Sequence, residues 1–438
     1  MQETIQSWLE LGFGLFIHVG LYSILGGVYQ GKTITRGYSE QILSHGYLPQ
    51  REYEALVDQF SFEHFDPDHI VEVTKSAGMK YLVVTTKHHD GFCLFDTKTT
   101  SYNSMNTPYN KDVVSELAQA CKRAGLKFGI YFSWIDWHFP HALPISPHNS
   151  DLIPLLHQKL NIAQLTELLS NYGPICELWM DMGAPSEEQS EEVYSLVKAL
   201  QPYCAINGRI WNDYQEFLTM GDNQIPSLPL NCPWQTPASI YKETWGYRSW
   251  QERGCKEEKI DELTQTLRTV RSMGGTYLLN IGLKGDGSIV AFEEEVLLGI
   301  GKNLQDEPLA VGAPKLPTTK LSVGVPSAGS VSYRYTGSDY YTYAPIPTTL
   351  AWSVTLETKG IYSLLWEHDA VLEEAVKVQI RVDEQTWHAT LQKGQQSGIL
   401  AQDLFLEQGA HHFEISTPGE PIKRAALPYP ALTITIKE

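Results

Sequence analysis

The chain has 438 residues, more than one hydrophobic core usually organises, so a large domain with a smaller companion is expected. Lys and Arg number 33 against 51 Asp and Glu, a formal net charge of −18, and so acidic a surface repels nucleic acid and anionic membranes. No apolar run is long enough to cross a bilayer, and MQETIQSWLELGFGLF has no basic leader ahead of an apolar stretch, so a cytoplasmic protein is expected. Cys93, Cys121, Cys176, Cys204, Cys232 and Cys255 show no C-x-x-C spacing and read as reduced thiols, most of them buried. The chain also holds 11 Trp and 23 Tyr, rings that stack on sugar faces while keeping a polar edge.

In chain order, GFGLFIH is the first apolar strand. DPDHIVEVTKSAGMKYLVVTT follows, with Asp66 placed to cap a helix, Pro67 in its first turn and Gly78 ending it before a second strand. The same grammar returns in NKDVVSELAQACKRAGLKFGIYFS, where K-x-A-G-x-K recurs at Lys75 and Lys122. LTELLSNYGPICELWMD, SEEVYSLVKALQPYCAIN and IDELTQTLRTVRSMGGTYLLNIG repeat the unit of amphipathic helix, Gly or Pro break and short apolar strand. Helices alternating with continuous apolar strands predict a parallel sheet covered on its outer face, here a (β/α)8-like barrel over residues 1–305. A doubly wound open sheet is the alternative, and the first strand lacks the G-x-G-x-x-G that would favour it. Residues 306–319 read as a linker. Residues 320–438 alternate in short segments such as SVSYRYTG, AWSVTLET and VKVQIRVD, the pattern of a β-sandwich.

A parallel barrel gathers its chemistry where strands end, at the C-terminal face. The strand ends here are polar: His18, then His88, His89 and Asp90, then Tyr131 inside its strand, Asp181 and Arg209. Taken singly, a strand-end His is more often a hydrogen-bonded structural residue, and a strand-end Asp a helix cap. Their succession points instead to one site. His88 and His89 would face opposite sides of a regular strand, so both reach one pocket only if the strand has already ended, which the Asp90-Gly91 turn allows. A metal site made of His18, His88, His89 and Asp181 is the first rival, but His18 is followed by Val19-Gly20 rather than by the close second His of barrel metallohydrolases. Glycoside hydrolysis instead needs two carboxyl groups. Asp181 supplies one, and RIWNDYQEFLTMGDNQIP offers Asp213, Glu216 and Asp222 for the other.

With GLFIHVGLYS, KYLVVTTKHHDGF, KFGIYFSWIDWH, YGPICELWMD, INGRI, GDNQIP, ETWGY and GGTYLLNIG in view, the chain resembles the family 29 α-L-fucosidases over most of residues 8–305. The resemblance implies a barrel with a C-terminal β-sandwich, hydrolysis with retention, and no metal or other cofactor. It places the nucleophile on Asp181. The fucose-binding set falls on His18, Glu40, His88, His89, Tyr131, Trp179, Arg209 and Trp245. GDNQIP is similar to a bacterial subgroup of α-1,6-fucosidases, which implies Asp222 as acid/base, with Glu216 in reserve. Two positions depart from the usual family pattern: Val19 stands where Trp is common, and Gln235 where Glu is common. The expected partner is a fucosylated oligosaccharide or glycoconjugate, with no nucleic acid and no membrane, and a homo-oligomer is compatible with the sequence. The competing class is a fucose-binding, lectin-like barrel without turnover.

Overall fold

The computed structural model describes residues 2–140, 145, 152–212, 214–226, 233–306, 309, 320–323, 332–335, 340–345, 349–356, 358–367, 375–394, 397–417, 426–428 and 431–436. Most of the expected linker, 307–308 and 310–319, lies outside them, as do Asp213 and Cys232. The chain divides into two compact units. One comprises Met1–Gln224, Gln235–Arg271 and Gly275–Ala310, and the other Ile225–Trp234, Ser272–Gly274 and Val311–Glu438.

The first unit is built on an eight-stranded sheet. Its strands are β1 (Phe13–His18), β2 (Tyr81–Lys87), β3 (Lys127–Ser133), β4 (Ile175–Asp181), β5 (Ala205–Ile206), β6 (Leu218–Thr219), β7 (Trp234–Ser239) and β8 (Thr276–Gly282). Their order is β5-β4-β3-β2-β1-β8-β7-β6, and the pairs from β5 through to β7 are parallel. The two outer strands approach through Glu216, whose amide donates to the Ile206 carbonyl at 2.9 Å, curling the sheet toward a barrel. This is the expected (β/α)8-like architecture. Every residue of β1, β2 and β8 is buried, because helices cover one face of the sheet while its other face fills the barrel.

The covering helices start and stop as their caps dictate. Asp66 accepts from the His69 amide at 3.0 Å to open Pro67–Ser76, and Asp112 from the Ser115 amide at 2.7 Å to open Val113–Ala124. Ser186 and Gln189 form a reciprocal capping box before Glu187–Leu200. An N-terminal helix, Gln2–Leu11, precedes β1, and its Trp8 stacks on Phe217 at 4.0 Å.

Side chains fill the barrel in layers, as the period of two along a strand requires. The lowest layer holds Tyr81, Glu177 and Gln235, joined by hydrogen bonds. Gly14 belongs to it as well: a Cβ there would lie 2.4 Å from the Tyr81 ring, so the ring needs a glycine opposite. Above it Phe16, Val83, Tyr131, Trp179 and Leu278 pack with Trp245. The next inward positions, two residues further along β1 and β4, are His18 and Asp181.

The second unit is antiparallel throughout its described strands and fits a β-sandwich. Val376–Val382 alternates buried and solvent-facing residues, and Val354, Leu364, Val378, Ile380, Phe413 and Ile415 are among those that form its core. No helix among the described residues is long and apolar enough to cross a membrane.

Candidate active site

Three successive strand ends converge on one guanidinium. Asp181 closes β4, Arg209 lies in the 3-10 turn Gly208–Ile210 after β5, and Asp222 lies in the turn that follows β6. Arg209 Nη1 donates to Asp181 Oδ1 at 2.7 Å and Nη2 to Asp222 Oδ1 at 2.6 Å. One planar, permanently charged group therefore holds two carboxylates side by side. It also packs on Trp179, whose ring lies 4.7 Å from the guanidinium carbon. Past Asp222 the chain turns through Asn223, at φ 60°, whose amide donates to the Pro237 carbonyl and whose side chain accepts from the Ser239 amide. An Asn tolerates that left-handed conformation where most residues would be strained.

Asp181 is 8% exposed. Burial alone would raise its carboxyl, but the charge of Arg209, the proximity of His89 and hydrogen bonds from Arg209 and Tyr131 outweigh burial and hold it below the usual Asp range. The Tyr131 hydroxyl donates to Oδ2 at 2.9 Å, and His89 Nε2 stands 3.9 Å from the same oxygen. Immediately after it the backbone turns through Met182 (φ 62°) and Gly183 (φ 73°).

Strand β2 ends at Lys87, as the expected route of both histidines to one pocket requires. The next turn is closed by the Gly91 amide donating to the His88 carbonyl, and Gly91 sits at φ 78° with no room for a Cβ beside Asp136. The His88 and His89 rings then lie 3.9 Å apart, both buried. His89 Nδ1 pairs with Ser133 Oγ at 2.7 Å, whereas His88 Nδ1 is buried with no partner among the described residues. His18, at the end of β1, pairs through Nδ1 with Asn280 Oδ1 at 2.7 Å and packs 5.4 Å from the Trp245 ring. Burial pushes His18 down to about 3, His89 to about 4 and His88 well below 6.5. At neutral pH the three are uncharged imidazoles, each offering one donor and one acceptor nitrogen.

Glu40 braces the opposite wall from a 3-10 turn, Ser39–Gln41. Its Oε2 accepts from the backbone amides of Gly246 at 2.8 Å and Trp245 at 3.2 Å, and Asn280 Nδ2 donates to the Trp245 carbonyl at 2.7 Å. Burial raises the Glu40 carboxyl to about 7 against those amides and Arg248. The structure thus brings His18, Glu40, His88, His89, Tyr131, Trp179, Asp181, Arg209, Asp222 and Trp245 into one connected set. Glu216 is elsewhere engaged: its carboxylate pairs with Lys198 Nζ at 2.6 Å, a residue of the helix Glu187–Leu200.

The two departures have clear places. Val19 is 1% exposed, and its amide and carbonyl both hydrogen-bond Thr85 Oγ1. Gln235 lies at the N-terminal end of β7, opposite Thr276 and beneath Trp179, whose Nε1 donates to its Oε1 at 2.8 Å. Sequence reasoning missed Asn280 and Ser133, which orient His18 and His89. Both lie on the inward face near the C-terminal end of strands already recognised, so the polar residue at that position was the available signal. No group of three or more His, Cys, Asp or Glu among the described residues is arranged to hold a metal ion.

The family model described as Alpha-L-fucosidase matches residues 1–307. Tissue alpha-L-fucosidase of Mus musculus is 28% identical over 339 residues, 72% of each chain. Among solved structures, unliganded alpha-L-fucosidase AlfC from Lactobacillus casei is 33% identical, covers 69% of this chain and 98% of its own, and superposes with a TM-score of 0.62. A mutant of AlfC in complex with Fuca(1,6)GlcNAc is 35% identical over 70% of this chain and 98% of its own, with a TM-score of 0.62. The alpha-L-fucosidase of Vibrio sp. strain EJY3 is 22% identical and shares the fold over 100% of this chain and 98% of its own, with a TM-score of 0.66.

Proposed function

This chain belongs to the α-L-fucosidase family and is a glycoside hydrolase, and from that premise we propose that it cleaves terminal α-L-fucosides with retention, Asp181 acting as nucleophile and Asp222 as acid/base. The observation that carries this reading is the single Arg209 guanidinium shared by both carboxylates. Two carboxyl groups held by one guanidinium fit the close spacing, roughly 5–5.5 Å, of retaining enzymes better than the wider gap of inverting ones. Arg209 and Tyr131 keep Asp181 ionised and aimed, as attack on the anomeric carbon needs. Asp222 in its protonated form gives its proton to the leaving oxygen. Having given up that proton, the Asp222 carboxylate, still held by Arg209, takes one from the water that attacks the Asp181 ester. Glu216, tied to Lys198, is the weaker candidate for that step.

The neutral imidazoles of His18, His88 and His89, with the unpartnered Nδ1 of His88, suit sugar hydroxyls, and Trp245 offers the apolar wall a C6 methyl group needs. GDNQIP and the likeness to AlfC, bound in one structure to Fuca(1,6)GlcNAc, support an α-1,6-linked substrate, and an acceptor sugar in place of water would give transfucosylation. Free Cys93, Cys121 and Cys204, all buried, suit a cytoplasmic setting.

An aryl α-L-fucoside tests the reading. Asp181→Asn should abolish phenol release, with partial recovery when azide is added, and Asp222→Asn should chiefly slow substrates with poor leaving groups. Full activity in Asp181→Asn would sink the assignment. A panel of α-1,2, α-1,3, α-1,4 and α-1,6 fucosylated sugars tests the linkage.

A further inference from the structure

Beneath the carboxylates a continuous polar line runs through the otherwise apolar barrel. Trp8 Nε1, from the N-terminal helix, donates to Glu177 Oε2 at 2.7 Å. Gln235 Nε2 donates to Glu177 Oε1 at 3.0 Å and to the Tyr81 hydroxyl at 3.1 Å. Gln235 Oε1 accepts from Trp179 Nε1 at 2.8 Å. Trp179 carries Arg209 on its face, and Arg209 holds Asp181 and Asp222. Glu177 and Gln235 are fully buried and Trp179 is 2% exposed.

We propose that Gln235 is a positioning residue: anchored on Glu177, its amide fixes the rotation of the Trp179 indole, and the indole face sets where Arg209 presents its two nitrogens. The inference rests on the roles assigned above to Asp181 and Asp222. The chemistry of the position is specific. A side chain there must accept from the indole N–H and donate to a carboxylate, and only a group with both functions on adjacent atoms does so; the carboxamide does it in every protonation state. An ionised carboxylate in its place would meet Glu177 at about 3 Å with no donor between them, and such a pair keeps one shared proton. A side chain with neither function would leave the indole N–H buried and unpaired and the ring free to swing. A small rotation of the indole displaces the guanidinium it carries. The role also accounts for Gln at a position where an acid would be two inward layers below Asp181, roughly 13 Å along the strand and out of reach of the bond that Asp181 attacks.

Two variants test this with the aryl fucoside. Gln235→Met, close in shape but without donor or acceptor, should lower kcat on the order of ten- to a hundredfold with a smaller change in KM. It should also move the acid limb of kcat/KM upward, because Arg209, His89 and Tyr131, the groups that face Asp181, no longer hold it together. Gln235→Glu should keep near wild-type kcat at mildly acid pH, where the shared proton preserves the donor to Glu177, and lose activity through a new alkaline limb as that proton leaves. A Gln235→Met enzyme with wild-type kcat and acid limb, changed only in melting temperature, would overturn the positioning role. Asp181→Asn measured alongside separates the two failures: full activity there removes the nucleophile assignment, whereas its loss beside an unperturbed Gln235→Met removes the role of Gln235 alone.

Discussion

At the scale of single residues the decisive element is a cation that answers two carboxylates. A buried carboxylate unaided is driven toward its neutral acid, and Asp181 escapes this because the nearest charge, Arg209, cannot lose its proton. The sign of the pH dependence follows. Asp181 held below its ordinary value stays ionised down to low pH, so it does not limit activity until pH falls below the usual Asp range. Without Arg209 the cost of burying a charged carboxylate pushes Asp181 upward. Arg209→Met should therefore shift the acid limb of kcat/KM upward in addition to weakening substrate binding, and a pH–rate profile on the aryl fucoside checks it. An unchanged limb would mean that Tyr131 and His89 suffice. The candidates His18, His88, His89, Asp181 and Arg209 could be read from the sequence, because each closes or shortly follows an apolar strand whose period is plain. Asn280 and Ser133 passed unnoticed for the opposite reason: a short polar residue in a strand carries no distinctive chemistry until its hydrogen-bond partner is known.

At the scale of elements, caps written in the sequence set the helices that cover the sheet, but equal signals do not carry equal weight. Asp66 and Asp112 both open helices that follow the same local pattern. Asp66 does little else, and its cap bond is solvent-exposed. Asp112 also accepts from the Asp96 amide at 2.9 Å and from the Tyr172 hydroxyl at 2.6 Å, tying two further segments to that cap. Asp66→Ala should cost about 1 kcal/mol, the ordinary value of an N-cap. Asp112→Ala should cost more, by on the order of a further 1–3 kcal/mol, since the Tyr172 hydroxyl and the Asp96 amide lose their acceptor as well. Urea denaturation of the two variants compares them directly, and equal losses would show that the tertiary bonds contribute nothing.

At the scale of the whole molecule, buried ionisable groups of both kinds shape stability against pH. His18, His89 and His157 are lowered by burial to about 3, 4 and 4, so they stay neutral when folded and penalise the fold once pH drops below 6.5, where the unfolded chain takes up protons that the fold refuses. Glu40, Glu177 and Glu293 are raised by burial to about 7, 7 and 8. They keep protons that the unfolded chain releases above 4.5, so their contribution is full below that value and is lost as pH rises through 7 to 8. Between 4.5 and 6.5 the two sets oppose each other. The melting temperature should accordingly be nearly level across that window and fall on both sides, which a calorimetric pH series measures. A monotonic rise through neutrality would show that the buried carboxyls titrate normally.

Sequence periodicity determined the alternation of helix and parallel strand, the change to antiparallel strands in the second unit and the strand ends that carry chemistry, because burial on one or both faces leaves a period in the chain. Tertiary structure decided which carboxyl shares Arg209 with Asp181, a placement that GDNQIP implied only through resemblance. Asp222 and Glu216 stand six residues apart in one loop-rich segment, and nothing local separates a turn that faces the barrel mouth from one that faces Lys198. It also decided what Gln235 does, since its partners Glu177, Tyr81 and Trp179 come from other strands and meet it only once the sheet has curled. Patterns within one element are written along the chain, whereas a hydrogen bond between elements depends on where each strand ends up in the closed sheet.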